Sequence, residues 1–194
     1  MNMFKKTFLG ILIFALFISM GCRSNGHNPY HVSQDVDFSF VKNVAVLPLE
    51  NLSNDKAAGQ VVSRLIISEL LASGLVNVVV PGEVMTAVKD LKIKNTSSLN
   101  KNQIKDLGQE LKVQGIVMGS VEQYGYSKIG NSTAPEITIT LMMAETGSGD
   151  IIWSVTRRRG EDGFLARHFG ASSQTLSKAT LDVVREAVGT LTEY

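Results

Sequence analysis

The 194-residue chain balances 19 basic against 18 acidic side chains, is 44% hydrophobic and holds one cysteine. This near-neutral charge excludes the strongly basic stripe of a nucleic-acid binder, and a lone cysteine excludes a disulfide within the chain. Stability must come from packing, for which the length supplies one domain with a real core.

Residues 1–21 read as a secretory leader. Lys5 and Lys6 form a positive start, residues 8–18 are apolar, and small residues lead into Cys22. The apolar run is shorter than the roughly 20 residues a spanning helix requires. Ser19-Met20-Gly21-Cys22 resembles the lipobox of bacterial lipoproteins, which implies acylation of Cys22. More than one acyl chain gives stable attachment to a bilayer, so the mature chain is expected to be water-soluble and lipid-anchored. Residues 22–40 are polar and aperiodic and are expected to be a tether; the domain is expected to occupy 41–194.

Within that domain, residues 43–49 (NVAVLPL) predict a buried strand stopped by Pro48. Turn chemistry at 51–55 precedes a helix over 56–73, which Asn54 or Asp55 would cap. Gly74 ends that helix as a left-handed residue does. Glu69 is the one polar interruption of its apolar stripe. Residues 76–80 predict a second strand, Pro81 opens a second helix carrying Val84, Met85, Val88 and Leu91, and 102–112 form a third.

The period then changes. Residues 114–124 predict a strand with glycines, 136–144 alternate cleanly, and 145–150 are a Gly-rich hairpin turn. The returning strand places Ile151, Trp153 and Val155 on one face against Ile152, Ser154 and Thr156 on the other. Residues 171–191 close the domain as an amphipathic helix. The order β-α-β-α-α-β-β-β-α predicts an α/β sandwich with a mixed sheet, a C-terminal three-stranded antiparallel unit and a closing helix.

Signatures of chemistry are sparse. The chain has no G-x-S-x-G elbow, P-loop or H-E-x-x-H. His27, His31 and His168 lack metal-ligand spacing, and the glycines of 115–125 fall inside a strand pattern rather than opening a helix, so no metal or cofactor is expected. Glu136, Glu145, Glu161 and Asp162 read as solvated carboxylates. The candidate partner contacts are Arg157, Arg158 and Arg159 with Trp153, types enriched at interface hot spots. Their competing reading is a strand end with arginines splayed to both faces, over a tryptophan buried in the core.

Three segments together resemble a known superfamily: 44–53 (VAVLPLENLS), 115–124 (GIVMGSVEQY), and the hairpin 137–155 with Glu145-Thr146-Gly147 and Asp150-Ile151-Ile152-Trp153-Ser154. It is the group of envelope lipoproteins that includes the curli-secretion lipoprotein, the LpoB-type activators of penicillin-binding proteins and the amino-terminal domain of TolB-like proteins. The resemblance implies an outer-membrane lipoprotein facing the periplasm, binding an envelope protein rather than catalysing a reaction. Curli-secretion members form a pore from two long hairpins per subunit; the matching connections here, 125–135 and 160–170, are expected to be too short to cross a bilayer. LpoB-type activators usually carry a longer linker than residues 23–39. The rival expectations are a self-associating scaffold subunit, a periplasmic hydrolase and a peptidoglycan-binding lipoprotein.

Overall fold

A computed structural model describes residues 30–32, 38–129, 132–160 and 174–191. Cys22 and the 160–170 connection beyond Gly160 lie outside them. The elements are β1 (Tyr30–Val32), β2 (Asn43–Val46), β3 (Glu50–Asn51), α1 (Ala58–Ser73), β4 (Asn77–Val78), α2 (Pro81–Asp90), α3 (Lys101–Leu111), β5 (Gly115–Ile129), β6 (Ser132–Glu145), β7 (Ile151–Arg159) and α4 (Leu176–Gly189). One seven-stranded mixed sheet runs β1-β7-β6-β5-β2-β4, and β3 continues the line of β2 along β5. The expected α/β class, antiparallel C-terminal unit and closing helix are all present.

Helices lie on both faces. Against the first pack α1 and α4, whose Val62, Ile66, Leu70, Val183, Val184 and Ala187 meet Val44, Val117, Ile139 and Leu141 of the sheet. Against the second pack α2 and α3, whose Val84, Val88, Ile104 and Leu107 meet Ala45, Leu47, Ile116 and Met118. Glu69, the polar break in the α1 stripe, accepts two hydrogen bonds from Arg185 of α4, at 3.2 Å each, and so ties the first pair of helices together. Gly74 ends α1 at φ 68°, a conformation glycine adopts without steric cost.

Apart from helix starts, where Ala57 rather than Asn54 or Asp55 is the N-cap of α1 and α3 begins at Lys101, the structure departs from the sequence expectations at four places. Tyr30–Val32, placed in the tether, is an edge strand antiparallel to β7, with Tyr30 opposite Val155 and Val32 opposite Trp153. Pro48 divides the first predicted strand: the register to β5 shifts by one residue between Val46–Val117 and Glu50–Ser120, because proline has no N–H for the ladder. The third departure is in the β5–β6 hairpin, which extends well past Tyr124, so most of 125–135 is paired strand rather than connection. Last, β7 carries a bulge: Met143 opposes Trp153 while Ala144 opposes Ile151. The extra residue, Ile152, turns into the core at 2% exposure, and Ile151 stands out at 39%.

Candidate docking surface

The three arginines alternate along β7, and the pleat sends them to different neighbours. Arg157 and Arg159 fall on the α1/α4 side and Arg158 on the opposite one, as the period of two requires. Arg157 is 7% exposed, and its guanidinium lies 5.8 Å from the centre of the Tyr30 ring, binding edge strand β1 to the sheet. Arg159 pairs with Glu186 of α4. Arg158 is well exposed and donates from Nη2 to Glu136 Oε1 at 3.0 Å.

Trp153 is 1% exposed, in the first core. Its indole Nε1 donates to Thr190 Oγ1 at 2.9 Å, so ring and polar tip are both satisfied internally. Two of the four candidate contacts, Trp153 and Arg157, are thus inside the domain, because the β7 face that carries them is the one α4 covers. The splayed-arginine reading describes this strand, and Arg158 is the candidate most available at the surface.

Around Arg158 the sheet has a polar face. The α2/α3 core takes Ala144 and Met142 from β6 and, among the described residues, nothing from β7 or β1. On that uncovered side the side chains bond one another. Thr140 Oγ1 donates to Glu122 Oε1 at 2.6 Å and lies 3.0 Å from Thr156 Oγ1, while Thr138 donates to Gln123 at 2.7 Å. A β-bulge between Val121 and Gln123 places Glu122 in this network. Such preset hydroxyl and carboxylate groups suit hydrogen-bonded contact with a folded partner.

The face ends in a polar cleft of about 240 Å³ between β3 and the β5–β6 hairpin, lined by Leu52, Asn54, Glu122, Tyr124, Tyr126 and Glu136 among others. Glu136 is both cleft wall and partner of Arg158. Tyr126 accepts a hydrogen bond from Leu176 N at 3.2 Å and anchors the first turn of α4. The sequence named Arg158 but missed Glu122 and Gln123, because the bulge that presents them has no signature along one strand. Glu136 reads from the sequence as a solvated carboxylate, because Arg158, its partner, is 22 residues away. Among the described residues no helix is long and apolar enough to cross a membrane.

A mixed sheet covered by helix pairs, with a polar face beyond them, defines an α/β sandwich domain. The chain belongs to the LpoB family, described as peptidoglycan-synthase activator LpoB, whose family model matches residues 31–157. No curated protein matches the sequence. The fold is similar to that of the PelC dodecamer from Paraburkholderia phytofirmans, at 16% identity over 84% of this chain and 96% of that one, TM-score 0.57. Lipoprotein GNA1162 from Neisseria meningitidis is similar at 17% identity over 79% and 99%, TM-score 0.52.

Proposed function

We propose that this is an outer-membrane lipoprotein, acylated at Cys22, whose periplasmic domain binds and assists another envelope protein without catalysing a reaction itself. Membership of the LpoB family carries this reading and makes a peptidoglycan synthase the first partner to test. The polar face around Arg158 and Glu136 is the proposed contact. Strand β1 limits where that contact is made. Because Tyr30 already lies in the sheet, only residues 23–29 separate Cys22 from the domain. Even fully extended they reach roughly 25–30 Å, so the partner must come close to the membrane.

Photo-crosslinking in live cells tests the contact, with a photoreactive residue at Ser154 or Gln123 on the open face. A recurrent envelope-protein adduct that disappears in Arg158→Glu is the expected result. The same adduct at full yield in that variant refutes the contact. Incorporation of labelled palmitate into the wild type and into Cys22→Ala checks the anchor.

A second reading has its own support. The similar PelC structure is a dodecamer, and this sheet ends in two short edge strands, β1 and β4. Self-association through those edges would build a scaffold ring. Light scattering on the full-length chain in lipid nanodiscs or detergent separates a ring from a monomer.

A further inference from the structure

The chain order of the sheet creates a second site, remote from Arg158. Strand β2 leads through β3 into α1 on one face and β4 leads into α2 on the other, so the connections part beyond the carboxyl ends of β2 and β4. Open α/β sheets bind ligands in the crevice at such a switch point. Here the crevice is a cavity of about 510 Å³ between the first turns of α1 and α2, within the range of small-molecule sites.

Its lining has two parts. The walls are apolar: Leu47 and Leu49 below, Ile67 on α1, Val84 and Met85 on α2. Met85 is 53% exposed, a large apolar side chain of the lining left open to solvent. The polar part is a single stripe of α1, Gln60, Ser63 and Arg64, brought to one side by the helical period. Arg64 is the only charged residue of the lining among the described residues, and its Nε donates to Gln60 O at 3.3 Å. Ser63 Oγ is buried with no hydrogen-bond partner among the described residues. A serine within a helix ordinarily returns its hydroxyl to the preceding turn, and a buried hydroxyl left unpaired is costly.

We infer that this switch-point cavity binds an amphipathic monoanion, an alkyl carboxylate whose chain lies on Leu47, Leu49, Ile67 and Met85 and whose head meets Ser63 and Arg64. The sign follows from Arg64, since among the described residues no acidic side chain lines the cavity. The apolar walls call for an alkyl chain rather than a small inorganic anion. A carboxylate oxygen would accept from the guanidinium, a charge-assisted pairing, and would draw the buried Ser63 hydroxyl round to the cavity as a second donor.

The test is photolabelling of the full-length chain in lipid nanodiscs with diazirine-bearing decanoic acid, mapped by mass spectrometry. Label is expected on the peptides that hold Gln60 to Arg64 and Pro81 to Met85, displaced by unlabelled decanoate but not by decylamine. Arg64→Glu, at an exposed position, should cut that label about tenfold, the loss of one charge-assisted hydrogen bond. Ser63→Ala should weaken labelling about threefold, the loss of one neutral hydrogen bond, while the melting temperature holds or rises, since it removes an unpaired hydroxyl. Label spread over the surface, displacement by decylamine as readily as by decanoate, or full labelling of Arg64→Glu each overturns the site. A cavity that instead takes an apolar peptide of a partner would give no focused decanoate label, and that also refutes it.

Discussion

Trp153 and Thr190 form a two-step relay inside the first core. The indole Nε1 donates to Thr190 Oγ1 at 2.9 Å, and that hydroxyl donates to Ala187 O at 2.7 Å. The relay joins the middle of β7 to the last turn of α4, where helix carbonyls otherwise lack partners. Thr190 is 4% exposed, so water cannot replace it.

Thr190→Val keeps the volume but strands the indole N–H. It should cost about 1–3 kcal/mol of folding stability. Thr190→Ser, which keeps the hydroxyl, should lose less. Urea unfolding followed by Trp153 fluorescence measures both. Equal stability of wild type and Thr190→Val would mean that the indole finds another acceptor.

The arginines of β7 should separate by burial rather than by charge. Arg157→Ala removes a buried stem and its contact with the Tyr30 ring, and should cost about 1–2 kcal/mol. Arg158→Ala breaks an exposed pair with Glu136, and such pairs contribute about 0–1 kcal/mol. Unfolding midpoints of the two variants should therefore differ clearly. This is why Arg158→Glu is a usable probe of partner contact: a lost crosslink in that variant would not reflect a lost fold.

The bulge in β7 makes a sharper contrast. Ile152→Ala empties a core position and should cost about 2–5 kcal/mol. Ile151→Ala acts at a half-exposed position and should change stability by roughly 0.5 kcal/mol or less. Strict alternation from Trp153 predicts the reverse order, so one pair of denaturation curves distinguishes the two registers.

That contrast also marks where the sequence stops being legible. Elements specified by their own residues could be read directly. The α1 stripe ends at Gly74, Pro81 opens α2, and the alternation of 137–143 survives intact as the core side of β6. The start of α3 was missed by one residue, although its signal is local: Asn100 and Gln103 form a capping box. Features created by pairing were hidden. The bulges at Glu122 and Ile152 exist only against β6, and three-residue β1 is a strand only because β7 offers it an edge. The candidate surface divides in the same way. The alternation of Arg157, Arg158 and Arg159 was visible, whereas Tyr30, Glu136 and Glu186 became their partners only through the fold.

The 145–150 turn should make part of the stability pH-dependent. Partial burial pushes the Glu145 carboxyl up, but the Ser148 hydroxyl and the backbone N–H groups of Ser148 and Gly147 outweigh it and hold the group below its ordinary value of 4.5. Its oxygens accept from Gly147 N at 2.5 Å and Ser148 N at 2.6 Å, closing the turn that joins β6 to β7. A carboxylate depressed in the folded state adds stability that is full above 4.5 and is lost as pH falls through the lower folded value. Asp150, beside it, is lowered by the Lys101 side chain and should reinforce the trend. Glu145→Gln keeps an acceptor but not the charge. Its melting temperature should fall below that of the wild type at pH 7, and the gap should narrow steadily from pH 4.5 downward. A gap that stays constant to pH 3 would show that the charge of Glu145 does not stabilise the turn. A gap that widens on acidification would reverse the sign of the shift.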